Sequence, residues 1–175
     1  MDWYSTIFEL IDMRSFSNLW YWIALAVVWS ASSHRVIGVP YDMIQRAGRH
    51  GGAAEQDLED MVRINCNRLL YIAGVSGLWL LGFISAGLSS LALLAFWYGV
   101  EFAQAVFLLA FPMTFVGLLS LNSARIISEQ QLAGKALRSR LYRHRLATQV
   151  VGMVSIFVTA LWGMYQNLLQ SALIG

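Results

Sequence analysis

Residues 69–124 read LLYIAGVSGLWLLGFISAGLSSLALLAFWYGVEFAQAVFLLAFPMTFVGLLSLNSA, and Glu101 is the one charged residue among them. It divides the stretch into uncharged intervals of 32 residues (69–100) and 23 residues (102–124). About 20 helical residues, at roughly 1.5 Å each, cross the roughly 30 Å hydrocarbon layer of a bilayer, so this stretch holds two crossings. Tyr98-Gly99-Val100-Glu101 is the break between them and predicts a tight helical hairpin, with Trp97 and Tyr98 at the membrane–water boundary. Pro112 lies inside the second crossing, where a membrane helix tolerates it at the expense of a kink and freed carbonyls.

Outward from this pair, residues 15–34 (20 positions) and 146–175 (30 positions) are also free of Asp, Glu, Lys and Arg. The composition agrees: 58% of residues are hydrophobic, 13% are charged and the mean hydropathy is +0.57. A soluble domain carries about 25% charged residues, so an ordinary water-soluble globule is excluded. The expected fold is all-α, a single domain over 1–175 built as an integral membrane bundle of four transmembrane helices at 19–37, 69–96, 102–121 and 147–169. Segments 38–68 and 122–146 connect them, with helical extensions of spans two and four. Residues 1–18, with Trp3, Tyr4, Ile7, Phe8, Leu10 and Ile11 and then Phe16 and Trp20-Tyr21-Trp22, read as an interfacial anchor. The first basic residue is Arg14, so the start of the chain lacks the positive region of a cleavable signal peptide.

The charges orient the bundle. Arg35, Arg46, Arg49, Arg63 and Arg68 lie between spans one and two, and Arg125, Lys135, Arg138, Arg140, Arg143 and Arg145 between spans three and four. Because bases accumulate on the cytoplasmic side, both long connections are expected inside, both termini periplasmic, and the chain in a bacterial inner membrane. Against Asp42, Glu55, Asp57, Glu59 and Asp60 the first connection is neutral. Against Glu129 the second carries +5, and Arg14 against Asp2, Glu9, Asp12 and Glu101 leaves −3 outside. The formal +2 of the whole chain conceals this asymmetry.

In the first connection, Gly38-Val39-Pro40-Tyr41-Asp42 signals a turn, and Gly48 with Gly51-Gly52 a flexible break. From Ala53 a helix is expected, with Glu59 paired to Arg63 and Leu58, Met61, Val62, Asn65 and Leu69 on one face. It reads either as a solvated stalk or as a docking surface. In the second connection Ala133, Leu137 and Leu141 recur at helical spacing among bases. Such a basic amphipathic helix lies on anionic headgroups, with Arg138, Arg143 and Arg145 as candidate binding residues. Bases beside a span already have a topological explanation, so nucleic acid is not an expected partner.

Polar groups inside spans are the other candidates. Glu101 and Gln104, three residues apart, could handle a proton or cation. His34 and His144, at one depth on spans one and four, are the one pair that could ligate a haem b, and His50 reads as a loop residue. Cys66 is the single cysteine, which excludes an internal disulfide, a cysteine-held iron–sulfur cluster and a four-cysteine zinc site within the chain. No Walker loop, HExxH, GxSxG or carboxylate pair occurs. No catalytic residue, cofactor or metal is therefore expected. Ala73 with Gly77, Gly82 with Ala86, and Ser155 with Thr159 allow close helix contact, so an oligomer is open; Gln166, Asn167 and Gln170 are expected at the outer headgroups.

The strings at 1–4 (MDWY), 9–22 (ELIDMRSFSNLWYW), 38–43 (GVPYDM), 58–65 (LEDMVRIN) and 98–104 (YGVEFAQ) resemble a family of small membrane proteins of Rhodobacter-like alphaproteobacteria labelled "component of SufBCD complex". The resemblance covers nearly the whole chain and implies an association with iron–sulfur cluster assembly, without assigning any residue a role. The leading expectation is a non-enzymatic inner-membrane accessory or scaffold protein that tethers Suf components. The alternatives are a small transporter or ion-translocating protein using Glu101, Gln104 and the Pro112 kink, and a haem b subunit.

Overall fold

Asn18 starts the first long helix: its side-chain oxygen accepts a hydrogen bond from Trp20 N at 3.0 Å, satisfying one of the free N–H groups of a helix start. In the computed structural model, which describes residues 15–174, α1 then runs Leu19–His34 after a 3-10 turn at Ser15–Ser17. Most of the expected interfacial segment 1–18 lies outside the described residues. At 16 residues α1 is about 24 Å long. The span expected at 19–37 therefore ends early, because Arg35–Val36 (β1) and Val39–Pro40 (β2) fold back as an antiparallel hairpin. Ile37 and Gly38, with φ of 52° and 76°, make its two-residue turn, where positive φ matches the strand twist. Ile37 holds that strained backbone with its side chain packed in the core.

Helix α2 (Tyr41–His50) follows and contains Gly48, so the flexible break starts only at Gly51 and Gly52, with φ of 60° and 50°. Helix α3 (Gly52–Ala92) continues into a π-helical turn at Leu93–Trp97; α4 spans Glu101–Glu129 and α5 spans Gly134–Ile174. Among the described residues, Gly52–Trp97, Glu101–Glu129 and Gly134–Leu169 are long and apolar enough to cross a membrane. The molecule is a helical membrane protein.

At 41 residues each, α3 and α5 are about 60 Å long, twice the hydrocarbon thickness. Their excess length builds a cap. The hairpin, α2, the first turns of α3, the end of α4 and the start of α5 bury Val36, Val39, Ile44, Leu58, Val62, Leu137 and Leu141 together. The segments at 38–68 and 122–146 are thus packed helices rather than connecting loops. The apolar face of the basic helix, expected on lipid headgroups, is covered by protein, since Leu137 and Leu141 fit the groove beside Leu58 and Val62. In the apolar half a smaller cluster forms from Leu25, Trp29 and Val116, with Trp22, Leu109, Met113 and Val151 around it.

Candidate functional site

The end of the bundle at the α3–α4 hairpin is organised by Gln104. The side chain is 4% exposed. Its Nε2 donates to Ala95 O at 2.9 Å, and its Oε1 accepts from Trp162 Nε1 at 2.9 Å and Gln166 Nε2 at 2.8 Å. Ala95 belongs to the π-helical turn, where a carbonyl at a helix end needs an outside donor. Gln104 therefore ties the hairpin to α5. Gln166 points into this knot rather than at headgroups, and Asn167 Oδ1 accepts from Ser17 Oγ at 2.9 Å. Glu101 accepts from Phe16 N at 2.8 Å, fastening the segment before α1 to the same end.

Pro112 produces a similar closure. It supplies no N–H to Leu108 O, and Ser155 Oγ of α5 donates to that carbonyl at 3.4 Å. The helix runs on through Pro112 from Glu101 to Glu129. α1 and the turn before it meet α5 where α5 has no side chain: a Cβ on Gly152 would lie 2.8 Å from the Trp29 ring, and one on Gly163 would lie 3.2 Å from that of Phe16. Gly152, Ser155, Thr159 and Gly163 form one small-residue face of α5. Of the expected close-contact pairs, Ser155 and Thr159 are buried, whereas nothing lies within 4 Å of a Cβ built on Gly77 or Gly82.

The opposite, basic end carries the charges. Glu55 is ion-paired with Arg138, and Glu59 Oε1 accepts from Gly134 N at 2.7 Å, the start of α5. A carboxylate there complements the positive end of the helix dipole. The two carboxylates, one turn apart on α3, thus seat the basic helix, and Arg63 pairs with Asp60 at 2.8 Å instead of Glu59. Arg145 donates to Ser33 O at 3.3 Å and lies 3.7 Å over the Tyr41 ring. Arg143 is exposed beside Arg140. The five candidates read from the sequence therefore divide: Glu101 and Gln104 at the hairpin end, and Arg138, Arg143 and Arg145 at the cap in three different environments.

Where the cap meets the apolar half, an open cleft of about 440 Å³ lies among α1, the hairpin, α3, α4 and α5. Arg35, Arg68, Asn65, Ser32, His144 and Thr148 supply its polar lining, Leu69, Ile72 and Val116 its apolar wall, and no carboxylate faces it. The hydroxyls of Ser32 and Thr148 donate to the carbonyls of Val28 and His144 one turn earlier. The Asn65 amide nitrogen is buried without a hydrogen-bond partner, packed against Gly38. This cleft escaped the sequence reading, which weighed Arg35 and Arg68 only as topological charges.

The histidine pair is not assembled as a haem site. His144 is buried with Ser120 Oγ 3.3 Å from Nε2 and Ser123 Oγ 3.2 Å from Nδ1, so both ring nitrogens are engaged. His34 is exposed, with Nδ1 2.9 Å from Ser30 O. Among the described residues no three His, Cys, Asp or Glu side chains gather in a metal-binding group. Comparison with protein-family models, with curated proteins and with solved structures returned no match to this chain.

Proposed function

We propose that the protein is a non-enzymatic accessory protein of the bacterial inner membrane, whose cap is a cytoplasmic platform for a soluble partner. In this reading α1 is a fourth, short span and both termini are periplasmic. The supporting observation is the cap core: Leu58, Val62, Leu137 and Leu141 lock together two segments, 38–68 and 122–146, that hold ten of the twelve bases. A fixed charged surface loses less entropy on binding than a mobile loop. The exposed Arg46–Asp57 and Asp60–Arg63 pairs mark its outer face. By the sequence resemblance, Suf components are the first partners to test.

Affinity purification of the full chain in mild detergent, with Suf proteins as the measured candidates, tests this. Specific retention that falls on Asp60→Arg or Arg63→Glu is expected. Absence of Suf proteins in repeated preparations, or retention indifferent to both reversals, would overturn it.

A further inference from the structure

We propose that the cleft between cap and bundle binds a phosphate-bearing anion, held by Arg35 and Arg68. Among the described residues, Arg46, Arg63 and Arg138 face carboxylates, and Arg145 is used by Ser33 O and Tyr41. Arg35 and Arg68 differ: they line one cleft, and neither has an ion pair or a side-chain hydrogen bond with any described residue. Both arginines are exposed at this open cleft, and no carboxylate among its lining residues competes with an anion for them. Guanidinium is also the side chain whose paired N–H donors match phosphate oxygens.

Position narrows the ligand. The cleft sits where residues 69–100 begin and the uncharged part of α4 ends, at the boundary of the apolar layer. Leu69, Ile72 and Val116 continue its wall towards that layer. Polar donors above an apolar wall suit the phosphodiester of an anionic phospholipid, and basic pockets between spans are known to take such headgroups. A free phosphate would use the same donors without the wall. The proposal does not depend on the scaffold role.

The test uses the purified full chain in mild detergent, titrated with phosphatidylglycerol, with phosphatidylcholine and with inorganic phosphate. Phosphatidylglycerol is expected to bind more tightly than phosphatidylcholine. Arg35→Gln and Arg68→Gln should each weaken it about fivefold, from the roughly 1 kcal/mol per base near a membrane surface. Asn65→Asp, which adds a negative charge to the cleft lining at nearly constant shape, should weaken it at least as much, and Lys135→Gln, outside the cleft, should leave it unchanged. Circular dichroism confirms folding of each variant. Arginine-dependent binding of inorganic phosphate without lipid selectivity would support the site and identify a soluble ligand. Binding equal in all variants, or no selectivity for either anion over phosphatidylcholine, would overturn the proposal.

Discussion

Helix α3 passes through two environments, and its two halves obey different rules. In the cap, Leu58 is 0% exposed and Val62 1%, with Cys66 completing the same face. Further along, Leu78 is 87% exposed and Trp79 74%. Only 6% of the apolar stretch of this helix is buried against protein, as against 28% in α5. In water an apolar side chain must find a protein core, whereas in lipid it is already solvated. The apolar half is instead held by what lipid cannot supply: the Gln104 hydrogen bonds, the Ser155 bond to Leu108 O and the seating of Trp29 over Gly152.

Substitutions along this divide sharpen or break the comparison. The largest effect is expected for Leu58→Ala, which opens a cavity in the cap core and should cost about 2–5 kcal/mol in unfolding of the purified protein in fixed detergent. Next comes Gln104→Leu. It leaves Ala95 O, Trp162 Nε1 and Gln166 Nε2 without their partner, and at the strength of membrane hydrogen bonds it should cost about 2 kcal/mol by the same measurement. A stability unchanged by this substitution would mean that the knot does not hold the hairpin to α5. Gly152→Ala should cost about 1–2 kcal/mol by pushing the Trp29 ring away, with a matching change in tryptophan fluorescence. Smallest is Leu78→Ala, the same chemistry as Leu58→Ala on a lipid-facing surface, expected within about 0.5 kcal/mol of wild type. Equal losses at Leu58 and Leu78 would erase the distinction between the halves.

How much of this was legible in the sequence follows the same divide. The hairpin over 69–124 was readable because length and absence of charge are sufficient signals for a membrane helix. The cap was only half readable. Leu58 and Val62, and Leu137 and Leu141, each announced a helical face, but two faces separated by about 80 residues carry no mark that they bury one another. The acidic run at 55–60 and the basic run at 135–145 were likewise read as separate surfaces, although Glu55 and Arg138 meet as a pair. Gln104 was singled out as a polar group within a span, and its three hydrogen bonds make it structural. Gly152, Ser155, Thr159 and Gly163 share a small-residue face visible in the sequence, and reading that face whole would have located the seat of α1. The cleft lacked such a signal, because Arg35, the Asn65–Arg68 turn and His144 come from three places in the chain and converge only through the hairpin turn at Ile37-Gly38.

The central claim is that the hairpin end and the cap emerge on opposite sides of the membrane, with the cap inside. Single-cysteine labelling tests it directly. In a Cys66→Ala background, Tyr98→Cys and Gln130→Cys place a thiol at two exposed positions, one at each end. In right-side-out vesicles a membrane-impermeant maleimide should modify the Tyr98→Cys protein and spare the Gln130→Cys protein, and inverted vesicles should give the opposite pattern. Modification of both from the same side would contradict the account.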